Sequence, residues 1–212
     1  MSRTGAPASR RVLRTRRLPP GVAVAGLVLA GGRGTRLGGR DKGLVRVRGR
    51  PMAVTAADLL AGTCDILVIS ANRNLTRYAA WADVVVTDES REDHLGPLAG
   101  ISAALAAVSS RFVVTCPCDA SAIPADVPVR LLRALRVAGA ADAAVLRDPE
   151  RLQPLLMAVR AGVHSSIDAY LASGGRSVHG WLESVAVVEV KVRAVIGNRN
   201  VTTAPAFFVR RD

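Results

Sequence analysis

The sequence predicts an α/β fold: a single three-layer α/β/α domain around a mostly parallel sheet. Three observations carry that expectation. Short apolar runs alternate with helical stretches, as expected for strands buried beneath crossover helices. Hydrophobic residues make up 50% of the chain but aromatics only 3%, so the core must be built from Ala, Val and Leu. The 212 residues are enough for one complete core, with no repeat or low-complexity linker to divide them.

The elements follow in order. Residues 25–29 form a β-rich apolar run, succeeded by a glycine-rich loop over 31–39. Residues 51–60 show helical apolar spacing. Strands are expected at 66–70 and 84–87, an Ala-rich helix at 98–108, and a strand at 112–115 running into Cys116-Pro117-Cys118-Asp119. Beyond these come a helix at 129–137, a strand at 143–146, a segment at 155–159 joining the same sheet, short helices at 167–172 and 178–182, and a late strand at 185–190. Ligands of such sheets bind at the carboxyl ends of the strands. The glycine loop, Asn72, Asp88 and Asp119 all fall at those ends.

Charge is distributed unevenly. The net charge is +12, yet the first 20 residues hold six arginines and no acid. The remainder is mildly basic, which suits an anionic or phosphorylated ligand. Zinc-finger spacing and aromatic stacking stripes are missing, which argues against a nucleic-acid partner. Arginines followed by Pro19-Pro20-Gly21 and the apolar run 22–30 imitate an export signal. Because that run feeds directly into the glycine loop, we expect it to be the first buried strand. Residues 1–21 are then a disordered basic arm, and 22–212 are the folded domain of a cytoplasmic protein. No apolar run approaches the ~20 residues of a membrane span. Three cysteines, Cys64, Cys116 and Cys118, are too few for a disulfide framework, and their spacing is not that of common zinc sites.

The loop reads Leu29-Ala30-Gly31-Gly32-Arg33-Gly34-Thr35-Arg36-Leu37-Gly38-Gly39-Arg40-Asp41-Lys42-Gly43. Its glycines allow backbone N–H groups to point at phosphate oxygens. It is not a P-loop, which requires Gly-Lys-Ser/Thr, nor a dinucleotide fingerprint, since Leu37 stands where a third small residue is needed. Of 29 basic residues only Lys42 and Lys191 are lysines. Lys42 therefore reads as a position that requires a compact ammonium, with Arg36 as a bidentate phosphate partner.

These blocks, with Ala71-Asn72-Arg73, Asp88, Gly96-Pro97-Leu98-Ala99-Gly100, Cys116-Pro117-Cys118-Asp119 and Gln153-Pro154-Leu155, resemble the molybdenum cofactor guanylyltransferases over residues 26–182. The resemblance implies a Rossmann-like nucleotidyltransferase domain with GTP and molybdopterin as substrates. It implies Mg²⁺ as cofactor, held by Asp119. It places Leu29, Ala30, Gly31 and Gly32 on the nucleotide, with Arg36 and Lys42 at the phosphates and as catalytic groups beside Asp119. Asn72, Asp88, Gly96, Pro97 and Leu98 would line the guanine-nucleotide pocket. Ser70 stands where relatives carry a nucleotide-contacting Asn, and a pterin-side motif falls near Asn200-Val201-Thr202. A monomer that meets other molybdenum cofactor biosynthesis proteins and acceptor molybdoenzymes is expected. The same residue types also cap helices (Asp119) or make turns (Asn72, Asp88), and Arg73 reads equally as a solvated side chain. Rival functions are transfer to a sugar phosphate, use of CTP with the same pterin, a non-catalytic GTP-binding module, and nucleic-acid binding through the arm.

Overall fold

The computed structural model describes residues 12–15, 23–31, 39–88 and 96–198. In chain order the strands are β1 (Val12–Arg14), β2 (Val24–Leu29), β3 (Arg46–Val47), β4 (Arg50–Pro51), β5 (Ile66–Ser70), β6 (Val84–Val86), β7 (Phe112–Pro117), β8 (Ala120–Ser121), β9 (Ala143–Arg147), β10 (Leu152–Arg160), β11 (Val187–Lys191) and β12 (Gly197–Asn198). The helices are α1 (Met52–Ala61), α2 (Leu75–Ala79), α3 (Pro97–Ala107), α4 (Val127–Val137), α5 (His164–Ala172) and α6 (Val178–Leu182). The main sheet runs β1-β6-β5-β2-β7-β10-β9-β11. Its centre, β6-β5-β2-β7, is parallel, and β10 runs antiparallel to both β7 and β9.

The central strands are apolar throughout because helices cover both faces. On one face Val24, Val28 and Ile69 pack with Leu60 of α1 and Leu131 and Leu135 of α4. On the other Leu27 and Val68 pack with Leu98 and Ile101 of α3, Ile167 of α5 and Trp181 of α6. Gly26 lets α1 sit close to β2: a Cβ there would lie 2.9 Å from the Cys64 sulfur and 3.1 Å from the Leu60 Cβ. Part of the basic excess is structural. Arg111, Arg136 and Arg160 surround the Phe112 ring at 5.3–5.6 Å, within the range of cation–π attraction.

The expected three-layer architecture and its main strands are present, with two corrections. The segment over residues 12–14 is not part of a disordered arm. It forms an edge strand antiparallel to β6, pairing Val12 with Val86 and Arg14 with Val84, and the Thr15 N–H donates to the Asp83 carbonyl at 3.0 Å. An otherwise open row of β6 backbone groups supplies the reason, since unpaired edges recruit any extended segment within reach. Residues 1–11 and 16–21 lie outside the described residues. The second correction concerns β10, which begins at Leu152 rather than near residue 155 and contains a register shift. Leu146 faces Gln153, yet its neighbour Val145 faces Met157. Pro154 has no N–H for the ladder, and the Thr115 hydroxyl donates to the Leu155 carbonyl at 2.7 Å to satisfy the bulged backbone. Among the described residues no helix is long and apolar enough to cross a membrane.

Candidate active site

The parallel strands end along one edge, and the start of the glycine loop is stapled there. The Ala30 N–H donates to the Ser70 carbonyl at 2.8 Å, and the Cys118 N–H donates to the Leu29 carbonyl at 3.0 Å. Leu29 and Ala30 are thereby fixed between β5 and β7. Gly31 lies beside Asn72, whose amide nitrogen would stand 3.8 Å from a Cβ added there. Gly32 and Arg36 lie outside the described residues.

The loop returns at Gly39, which has a φ of 79°, and a polar hub receives it. Arg73 donates to the carbonyls of Gly39 at 2.7 Å and Arg40 at 3.0 Å. The buried Asp41 carboxylate accepts from the Tyr78 hydroxyl at 2.5 Å, the Asn74 amide at 2.9 Å and the Gly43 N–H at 3.2 Å. That last bond caps a 3₁₀ turn over Lys42–Leu44. Gly43 has no room for a side chain, because a Cβ would collide with the Tyr78 hydroxyl. Burial, together with the hydrogen bond to Asp41, drives the Tyr78 pKa far above the ordinary phenol value, so the hydroxyl remains a donor. Tyr78, Asn74 and Asp41 form a hub that the sequence reading missed, and Arg73 proves to be a clamp rather than a solvated side chain. The donors that satisfy this buried acid sit more than 30 positions away, so no local pattern marks them.

Held by this hub, Lys42 reaches across to Asp119, with Nζ 2.5 Å from Oδ2 and both side chains about one-fifth exposed. Asp119 does not cap a helix: the short strand β8 follows it directly, and α4 begins only at Val127. Beside it, burial first and then the Asp119 charge push the Cys118 thiol up to about 12, and burial raises Cys116 as well. Neither thiol is a thiolate at neutral pH. Among the described residues no group of three His, Cys, Asp or Glu side chains could hold a metal by itself.

Asn72 and Asp88 bridge the ends of β5 and β6. The Asp88 N–H donates to the Asn72 side-chain oxygen at 3.1 Å. Burial raises the Asp88 pKa, and among the described residues its buried Oδ1 has no hydrogen-bond partner. A carboxylate oxygen in that condition is a strong acceptor for a ligand donor. Gly96, at φ 72° and ψ −174°, opens α3 with Pro97 in its first turn. A non-glycine residue would be strained in that conformation and would also press on the Arg176 carbonyl, 3.1 Å from the added Cβ.

Two residues that the family resemblance places on the nucleotide have their side chains held in the packing. Ser70 is 3% exposed, and its hydroxyl lies beneath α3, where Gly100 leaves space that a Cβ would fill. Alternation along β5 turns this side chain toward the helix layer. Leu98 is fully buried among the α3-side core residues, which leaves only its backbone for a ligand.

Past β7, a second cluster stands at the same edge. Asp148, 3% exposed, accepts from the N–H groups of Glu150 at 2.9 Å, Arg151 at 2.8 Å and Ile196 at 3.0 Å, and from the Gln153 amide at 2.7 Å. Burial raises its pKa, but these hydrogen bonds prevail and lower it to about 2. Residues just after Ile196 form β12, which pairs Asn198 with Ala120 and Gly197 with Ser121. The carboxyl-terminal segment therefore reaches the site at Asn198, next to the residue following Asp119. Asn200 and Thr202 lie outside the described residues.

The fold is shared with solved proteins. Molybdopterin-guanine dinucleotide biosynthesis protein A from Archaeoglobus fulgidus superposes with a TM-score of 0.64 at 22% identity, over 79% of this chain and 83% of its own. Rv0371C from Mycobacterium tuberculosis H37Rv, solved as a manganese complex, superposes with a TM-score of 0.57 at 20% identity, over 82% and 90%. These likenesses show a shared fold. In sequence, the molybdenum cofactor guanylyltransferase of Cupriavidus pinatubonensis is 42% identical over 171 residues, covering 79% of this chain and 85% of the relative. The family model described as "MobA-like NTP transferase domain" matches residues 26–187. The chain belongs to the MobA-like NTP transferase family.

Proposed function

We propose that the chain transfers GMP from GTP to molybdopterin, releasing pyrophosphate and forming a guanine dinucleotide. A phosphate oxygen of the acceptor attacks the α-phosphorus of GTP, and the bond from that phosphorus to the pyrophosphate oxygen breaks. The attacking oxygen is already anionic near neutral pH, so the protein's task is to align two anions and neutralise charge. The observation that carries the reading is the Lys42–Asp119 pair at the return of the glycine loop. An ammonium has three donors; one goes to Asp119 and the others are available to phosphate oxygens. With Ala30 stapled to Ser70, the backbone at Gly31 begins the cradle, and the hub at Asp41 fixes where Lys42 stands.

Asp119 is the residue that would hold a divalent cation, Mg²⁺ in this reading. One carboxylate at an open edge, flanked by protonated thiols, fits a hard cation that completes its shell with phosphate oxygens and water. Such a cation supplies neutralisation of phosphate charge when bound.

Guanine is favoured over cytosine by Asp88. A carboxylate with a free, buried oxygen matches two adjacent N–H donors on one base edge, and guanine presents such a pair where cytosine presents one donor beside an acceptor. We read the protein as a cytoplasmic monomer. The test is calorimetric titration of GTP, CTP, ATP and UTP, with and without Mg²⁺, on the wild type and Asp119→Ala. Selective, Mg²⁺-dependent GTP binding that requires Asp119, followed by GMP transfer to molybdopterin, is the expected result. CTP preference would assign the sister activity; binding without turnover would leave a non-catalytic module.

A further inference from the structure

The edge beyond β7 holds a buried carboxylate that the transfer chemistry above does not use. Asp148 directly follows β9, and Gln153 is the second residue of the antiparallel β10 beside it. Both side chains converge on one residue far along the chain. Asp148 Oδ2 accepts the Ile196 N–H at 3.0 Å, and the Gln153 amide donates to Asp148 at 2.7 Å and to the Ile196 carbonyl at 3.5 Å. Ile196 is thus tied at both its N–H and its carbonyl, and its side chain is 2% exposed. From that anchor the chain runs straight into β12. There the Ser121 hydroxyl donates to the Gly197 carbonyl at 3.0 Å, and Asn198 pairs with Ala120, the neighbour of Asp119.

Topology says which substrate would meet this segment. In the sheet order β5-β2-β7-β10-β9, the glycine loop rises from β2 and Asp119 follows β7. The Asp148 cluster lies on the far side of β7 from the loop. In an in-line transfer the attacking oxygen enters opposite the leaving pyrophosphate. With pyrophosphate on the loop and Lys42, the acceptor enters from the β8–β12 side. We infer that Asp148 is a positioning residue for the acceptor: by latching Ile196 it holds the β12 segment against β8 at the mouth where the acceptor phosphate arrives. This rests on the guanylyl-transfer reading above. The β10 bulge at Pro154 belongs to the same device, because the register shift starts at Gln153.

The experiment uses the full chain as wild type, Asp148→Ala and Gln153→Ala, with three readouts. These are hydrogen exchange over residues 196–198, the GTP Kd by calorimetry, and the KM for molybdopterin in GMP transfer. In Asp148→Ala, exchange at 196–198 and the molybdopterin KM are expected to rise about ten- to a hundredfold, equivalent to losing hydrogen bonds to a charged acceptor. The GTP Kd should stay within about twofold and kcat should fall less than KM rises, since sites with no shared partners behave independently. Gln153→Ala leaves the carboxylate its backbone donors and should give the same pattern at smaller size, which decides the matter should Asp148→Ala fail to fold. Unchanged exchange at Ile196, or GTP Kd and acceptor KM moving together, overturns the proposal. A wild type that transfers nothing to molybdopterin overturns the guanylyl-transfer reading instead; exchange at Ile196 then still decides whether Asp148 is the latch.

Discussion

On the β6-β5-β2-β7 side of the edge, Asn72, Asp88 and Asp119 each stand two residues past a strand, Lys42 stands at the return of the glycine loop, and the backbone of one strand end staples the next. On the β10-β9-β11 side, the comparable cluster draws Asp148 and Gln153 from one connection and Ile196 from a segment 48 positions from Asp148. The first half exposes charge to a ligand: Lys42 and Asp119 are each about one-fifth exposed. The second spends its charge inward, with Asp148 buried and its oxygens given to four donors. A catalytic half must leave polar groups for substrate, whereas a half that holds backbone in place must satisfy its own.

The comparison breaks most sharply at Lys42 and Asp119. Each replaced by Ala should lose about a hundredfold or more in turnover, from ~2.7–4 kcal/mol of lost electrostatic stabilisation, with an unchanged circular dichroism spectrum. The double variant should lose much less than the product of the two, because the groups share one site. Rates near wild type in either single variant would remove that pair from the mechanism.

Asp88→Asn comes next. It should weaken GTP binding by about ten- to a hundredfold, the range of a lost hydrogen bond to a charged group, while leaving CTP binding little changed. Its effect on the unliganded protein should have the opposite sign. The Asp88 pKa is raised in the folded state. Its ionised form therefore costs stability above the folded pKa, and that cost is relieved as pH falls through it. Asp88→Asn should accordingly raise the melting temperature at neutral pH and lose that advantage in acid. A variant that binds GTP normally would place Asp88 outside the base pocket.

How much of this was legible follows the same division. Strand ends, the glycine loop, Asp88 and Asp119 could be placed because local apolar periodicity marks a strand and chemistry marks the residue after it. The packing of Ser70 was not legible, because its motif position says nothing of which face it takes, and alternation along β5 turns its side chain toward Gly100. Residues 12–14 were misread because composition reports charge, whereas edge pairing depends on which strand lies beside them. The hub at Asp41 was hidden for a further reason: its partners Asn74 and Tyr78 are carried by the N-cap and the body of α2, a helix of five residues and too short to signal itself. Tyr78→Phe probes that hub. It should cost about 1–2 kcal/mol by removing a buried hydrogen bond, seen as a fall in melting temperature of roughly 2–8 °C. An unchanged melting temperature would mean that Asp41 is satisfied without Tyr78.

The smallest effect distinguishes the inward-facing half from the rest of the molecule by pH. Asp148 has a folded pKa of about 2 against an ordinary value of 3.8. A carboxylate depressed on folding adds stability above its unfolded value, and that addition fades as pH falls through the folded value. The contribution should therefore be complete at pH 5 and shrink between about pH 4 and pH 2. Urea midpoints for wild type and Asp148→Asn, measured across that window, should converge as the acid limit is approached, since Asn has no charge to lose. A gap between wild type and Asp148→Asn that stays constant down to pH 2 would show that shape rather than charge holds Ile196. The latch would then be a matter of packing, and an uncharged isostere would serve it equally well.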